Sequence, residues 1–159
     1  MAGSSKTNEN YFVLGTFALF PNGELLLLEI LRERLEGPDQ PSLMARKYQE
    51  YKPALIGVES ANMGLTLYQQ LRRMGLPVVE LKPDADKYTR AIPAAARYES
   101  GMIYHKEGAH WQNELEAELL AFPNGAHDDQ VDVISYAVYM QSWGYLAEKK
   151  RGSRALVLG

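Results

Sequence analysis

The chain reads as an α/β domain: a mixed sheet with helices packed on it. Three observations predict this. Two apolar runs flank Pro21-Asn22-Gly23, the signature of a β-hairpin. After them, segments of helical composition alternate with short continuous apolar runs of the kind buried on both faces of a sheet. The composition is that of a packed globular chain, 46% hydrophobic and 23% charged over 159 residues, enough for one domain with a sizeable core.

The elements follow in order. Met1 to Asn10 is polar and reads as a loop. Tyr11 to Phe20 is β-branched and aromatic-rich, and Glu24 to Leu31 is its hairpin partner; the Leu25–Leu28 run is helical by propensity, but the turn favours strand. Gly37-Pro38-Asp39 breaks the chain. Gln40 to Tyr51 is helical, with Pro41 in its first turn and Pro53 beyond its end. Ala54 to Val58 is a buried strand ending on Glu59. Asn62 to Met74 is an amphipathic helix with Leu65, Tyr68, Leu71 and Met74 at helical spacing, closed by Gly75. Pro77 to Leu81 is a strand. Asp86 to Ser100 is helical with Pro93 inside, which predicts a kink or a late start. Met102 to His105 reads as a short edge strand and Ala109 to Ala121 as a helix. Phe122 to Ala126 is a turn, and His127 to Leu146 a long final helix. From Glu148 the chain is basic and is expected to fray, giving one domain over 1–147 and a flexible tail over 148–159.

Several chemistries are excluded. The chain has no cysteine, so disulfides, cysteine nucleophiles and Cys-ligated metals are out. No apolar run approaches the ~20 residues of a membrane span. Neither Gly-x-x-x-x-Gly-Lys nor Gly-x-Ser-x-Gly occurs, so neither a phosphate loop nor a serine-hydrolase elbow is present. The net charge of −3 gives no overall basic footprint; a nucleic-acid partner needs a local patch.

Two acidic features remain. Glu59 follows its strand directly, and open α/β sheets place their sites at the strands' carboxyl ends; a loop carboxylate or a cap for the helix at Asn62 is the plainer alternative. His127-Asp128-Asp129-Gln130-Val131-Asp132 opens the final helix, with Asp132 a helical neighbour of both other aspartates. Crowded carboxylates repel unless a cation binds them, and hard oxygens suit Mg²⁺ or Mn²⁺. Helix capping and the macrodipole are the competing explanation; they account for one or two acids but less well for Asp132, beyond the first turn's strongest field. Lys82 opens a basic and polar stretch, and Lys87, Arg90 and Arg97 are placed to line one side of the following helix and grip phosphates, or to be a solvated face. His127 adjoins the acids as a supporting group or ligand; His105 and His110 read as surface residues, Trp111 and Trp143 as packing.

Four blocks in order, GVES-N at Gly57–Asn62, LKPDADKYTRA at Leu81–Ala91, ESGMIY at Glu99–Tyr104 and LLAFPNGAHDDQVDVISYA at Leu119–Ala137, resemble the C-terminal nuclease domain of tailed-phage terminase large subunits. The resemblance implies an RNase H-like fold and a metal-dependent endonuclease that cuts concatemeric viral DNA in the host cytoplasm. It implies Glu59, Asp128 and Asp129 as catalytic residues, and these with Asp132 as ligands of one or two Mg²⁺ or Mn²⁺ ions. Asn62 and His127 would stand behind the ligands, and Lys82, Lys87, Arg90 and Arg97 would meet double-stranded DNA. The partners implied are the terminase ATPase domain, the small subunit and the portal. Other RNase H-like nucleases, of the resolvase or transposase kind, and a non-catalytic DNA- or portal-binding module are the alternatives.

Family members begin with a strand ending in Asp-x-Ala, and Met1-Ala2-Gly3 aligns with the end of that motif. The first central strand and its Asp are therefore expected to be missing. The gap would lie between the hairpin and the 54–59 strand, with unpaired backbone groups costing ~1–3 kcal/mol each if buried. A chain so truncated is expected to be a poor nuclease by itself.

Overall fold

The computed structural model describes residues 11–61, 63–142 and 153–158. Six strands form one mixed sheet. β1 (Phe12–Leu19) and β2 (Leu25–Glu33) are the expected antiparallel hairpin, and its turn closes with Gly23 at φ 91°, a conformation glycine adopts without a Cβ clash. A short 3₁₀ turn over Gly37–Asp39 leads into α1 (Gln40–Tyr51), followed by β3 (Leu55–Glu59) and α2 (Met63–Arg73). Then come β4 (Val78–Leu81), α3 (Lys87–Glu99), β5 (Ile103–His105), α4 (Gln112–Ala121), α5 (Asp129–Gln141) and β6 (Ser153–Leu158). The sheet order is β4-β3-β6-β1-β2-β5.

Boundaries depart from expectation where turn chemistry intervenes. Pro93 lies inside α3, which begins at Lys87 and runs on to Glu99. Residues 109–111 are not helical, so α4 starts at Gln112; α5 starts at Asp129 and ends at Gln141. Residues 143–146 of the expected final helix, Trp143 among them, lie outside the described residues.

The main correction concerns the centre of the sheet. The slot between β1 and β3, expected to be empty, is filled by β6, which pairs antiparallel with β1 and parallel with β3. Residues 153–158 are thus no flexible tail: Ala155, Leu156 and Val157 are completely buried. The physical reason is that Ala155-Leu156-Val157-Leu158 is a short apolar run that gains burial on both faces and backbone partners on both edges. The preceding basic residues disguise it in the sequence. The backbone cost expected from a missing central strand does not arise.

Alternation along the central strands feeds two cores. Leu14, Ile56, Val58, Leu156 and Leu158 join Met44 of α1 and Leu71 of α2 on one face. Val13, Phe17, Ala155 and Val157 join Val133, Tyr136 and Met140 of α5 on the other. Gly57 lets α5 lie tight against the sheet: a Cβ there would stand 2.6 Å from the Met140 sulfur. Glu59, two residues past Gly57, projects on the same α5 face at the carboxyl end of β3. That placement brings it to the first turns of α5.

Candidate active site

The carboxyl ends of β3 and β6 open into a cleft of about 620 Å³ lined by Glu59, Lys87, Asp129, Asp132 and Leu158. It lies at the sheet edge where strand topology places α/β sites. Three elements meet there. β3 contributes Glu59, α5 contributes Asp129 and Asp132, and α3 contributes Lys87, with Arg90 reaching Asp132 from the neighbouring cleft.

Glu59 is held by its neighbours. The Tyr136 hydroxyl donates to its Oε2 at 2.6 Å. Burial, with the Glu59 carboxylate beside it, pushes the Tyr136 hydroxyl far above the ordinary tyrosine value, so it stays a protonated donor through neutral pH. Behind Glu59, α2 approaches unusually closely: a Cβ on Gly64 would stand 2.0 Å from the Glu59 carbonyl oxygen. Only glycine allows that approach.

Asp132 is anchored. Arg90 Nε donates to Oδ1 at 2.7 Å and its Nη2 to Oδ2 at 3.0 Å, a two-point fork. The Asp132 side chain is 3% exposed and that of Arg90 11%. Burial pushes the Asp132 carboxyl above its ordinary value, and the Arg90 bonds pull the other way without fully offsetting it. Arg90 also donates Nη1 to the Ala85 carbonyl at 2.7 Å, lies 4.5 Å over the Tyr136 ring, and comes within 4.0 Å of Glu59 Oε2. It is the hub that ties β3, α3 and α5 together.

Asp128 and Asp129 converge on one cation, the Lys87 ammonium, at 2.7 and 3.0 Å. Burial works against the Lys87 charge, but the bonds and charges of the two aspartates outweigh it, and its pKa is raised. Asp128 stands at the N-cap of α5 yet makes no side-chain capping bond. That work falls to Glu118 of α4, whose Oε2 accepts from the Val131 amide at 2.8 Å and whose Oε1 accepts from Gln130 Nε2 at 3.1 Å. A capping hydrogen bond therefore does not explain Asp128, because the Val131 amide is taken by a residue from another helix.

The remaining expected site residues are placed as follows. Lys82, Arg90 and Arg97 line a neighbouring cleft of about 330 Å³. Arg97 Nη1 donates to the Gly23 carbonyl at 2.6 Å and to Gln141 Oε1 at 2.5 Å, bolting the hairpin turn to α3 and α5. His127 meets the Tyr11 ring edge-on at 5.7 Å and lines a small separate cleft with Arg32 and Glu118. Asn62 lies outside the described residues. His105, expected at the surface, is 11% exposed in its side chain and joins the Tyr98 hydroxyl at 2.7 Å to Glu116 Oε1 at 3.1 Å. Trp111 packs in the core as expected.

Tyr136, Gly64 and Glu118 are contributors that sequence reasoning missed. Tyr136 carries a readable signal, since it falls one helical turn after Asp132 on the same face. Gly64 and Glu118 carry none, because their contacts are with other elements.

As for a metal, no group of three or more His, Asp or Glu side chains among the described residues is arranged to hold one. A smaller donor set is present. The two carboxylates around the Lys87 ammonium offer hard oxygen donors and converge on a single positive charge. Mg²⁺ is commonly held by one or two carboxylates, with water and substrate phosphate completing the shell. The residues fit such a two-carboxylate seat, with Glu59 across the same cleft.

No helix among the described residues is long and apolar enough to cross a membrane. Comparison with curated proteins and with solved structures finds no match. A family model described as the terminase RNaseH-like domain matches residues 23–141, which spans β2 through α5 and takes in Glu59, Lys87, Arg90 and all three aspartates. With the six-stranded mixed sheet, the flanking helices and the acids gathered at one strand edge, this match places the chain in the terminase RNaseH-like domain family.

Proposed function

We propose that the chain is the metal-dependent endonuclease module of a phage packaging terminase, acting on concatemeric double-stranded DNA in the host cytoplasm. The observation that carries this reading is the acidic first turn of α5. Asp128 makes no capping bond, and Asp129 and Asp132 line the same cleft as Glu59. Asp128 and Asp129 would hold a Mg²⁺ or Mn²⁺ ion, with Glu59 facing it. Bound there, the cation supplies Lewis acidity toward a phosphate oxygen.

The chain's own residues have separate tasks. Tyr136 holds Glu59 by one carboxylate oxygen. Arg90 neutralises the buried Asp132 and so fixes α3 against α5. Lys87, at the cleft wall, is positioned to meet the phosphate backbone, with Lys82 in the adjoining cleft. The family supports a terminase ATPase domain, small subunit and portal as partners.

A second reading has one observation in its favour. The lack of a three-ligand group among the described residues suits a DNA- or portal-contacting module that does not cut. Plasmid cleavage with Mg²⁺ or Mn²⁺ separates the two. Under the nuclease reading, Glu59→Gln and Asp129→Asn each lower cleavage by at least the ~10–100-fold seen when groups supporting a metal are removed. Both variants keep the wild-type circular dichroism spectrum. Folded wild-type protein that binds duplex DNA but leaves the plasmid intact would establish the second reading.

A further inference from the structure

We propose that Lys87 is a built-in counter-cation for the acidic turn of α5, competing with the divalent cation for Asp128 and Asp129 and so setting the affinity of the site. This rests on the reading of those two aspartates as cation ligands.

The geometry separates the two cations of α3. Lys87 and Arg90 are three residues apart on one helical face, opposite Asp128–Asp129 and Asp132 on α5. Arg90 is buried, planar and doubly bonded, and its partner is almost fully enclosed. Lys87 contacts each aspartate through one atom, with its side chain 39% exposed and theirs 41%. A guanidinium fork in a buried pair stays; an ammonium on a flexible four-carbon stem in a solvated pair exchanges readily.

The backbone of Lys87 is held independently of its side chain. Asp86 caps α3 by accepting from the Thr89 amide at 2.8 Å, and Arg90 ties the first turn to the Ala85 carbonyl and to Asp132. The side chain can therefore leave while the helix stays. Glu118 has taken the Val131 amide of the α5 first turn, so that donor is not free for the aspartates. One ammonium offsets half of the charge of two carboxylates, and a divalent ion offsets all of it. Released, the ammonium remains at the wall of the cleft, facing incoming phosphate. In the metal-free protein, Lys87 prevents two adjacent carboxylates from facing each other uncompensated at the helix start.

The test is Mn²⁺ binding to the full chain by electron paramagnetic resonance, at one pH and ionic strength. Wild type, Lys87→Met, Lys87→Arg and Asp129→Asn are compared, with circular dichroism as the check on folding. Lys87→Met is expected to bind Mn²⁺ about 2- to 5-fold tighter, the range an exposed ion pair supplies when it no longer competes. Lys87→Arg keeps the charge and is expected to bind Mn²⁺ no more tightly than wild type. Asp129→Asn binds more weakly than wild type. Equal or weaker binding by Lys87→Met, with wild-type binding intact and lost in Asp129→Asn, overturns the role of Lys87 alone. No Mn²⁺ binding by either wild type or Lys87→Met overturns the ligand assignment, and the inference with it. If Lys87→Met fails to fold, Lys87→Gln takes its place with the same expected result.

Discussion

Arg90 and Asp132 make the clearest case at the scale of single residues. Removing one partner of a buried, doubly bonded pair leaves the other charge uncompensated, which costs about 3–5 kcal/mol. Arg90→Ala is expected to fall in that range in urea denaturation. Replacing both partners by apolar residues, Arg90→Met with Asp132→Leu, should recover most of the loss, because the desolvation cost goes with the charges. A double variant no more stable than Arg90→Ala would show that the pair does more than neutralise itself. Gly64 gives a second expectation. Alanine there cannot keep its place 2.0 Å from the Glu59 carbonyl, so helix or strand must shift. Gly64→Ala should cost roughly 1–3 kcal/mol, as overpacking does, and reduce plasmid cleavage while leaving duplex binding unchanged. Cleavage equal to wild type would show that Glu59 tolerates the shift.

At the scale of elements, α3 sets the geometry of the cleft because it carries both Lys87 and Arg90. Its start is fixed by Asp86, whose carboxyl is held below the usual carboxylate value by the Thr89 amide and hydroxyl. A depressed carboxyl pKa contributes stability above the unfolded value, 3.8, and loses it as pH falls through the lower folded value. Asp86→Ala is therefore expected to melt below wild type at pH 7, with the gap narrowing in acid. A gap constant from pH 7 to pH 2 would mean that the cap does not depend on the carboxylate charge. α5 is organised differently. Its first turn is capped by Glu118 from α4 and its middle is buried by the sheet, while the exposed side chains of Asp128 and Asp129 pair with Lys87.

For the whole molecule, β6 is the decisive element. It joins the hairpin to the β3–β4 pair, so both halves of the sheet depend on it. Leu156 is fully buried between β1 and β3, and Leu156→Ala should cost ~2–5 kcal/mol in equilibrium unfolding. Leu120, 88% exposed on α4, serves as the comparison, and its alanine variant should stay within about 0.5 kcal/mol of wild type. Hydrogen exchange supplies an independent readout. Amides of 153–158 are expected among the slowest in the protein, opening with global unfolding. Exchange there ahead of β1 would mean that the strand detaches by itself.

Much of this architecture was legible because its signals are local. The hairpin turn, the apolar runs of β3 and β4, and the helical spacing of α2 report on neighbours in sequence. Glu59 and the α5 aspartates were legible for the same reason, by their position at the ends of elements that periodicity defines. What stayed hidden is long-range. The pairing of β6 with β1 and β3 joins residues far apart in the chain, and four apolar residues behind a basic stretch carry no sign of where they will pair. The same holds for Glu118 on the Val131 amide, Tyr136 on Glu59, and Lys87 between two aspartates. The sequence by itself determined the fold class, the order of most elements and the acids at the sheet edge, since each follows from local pattern. Only the tertiary structure decided which strand fills the centre of the sheet and which charges face the acids, because those depend on surfaces that meet only when the chain has folded.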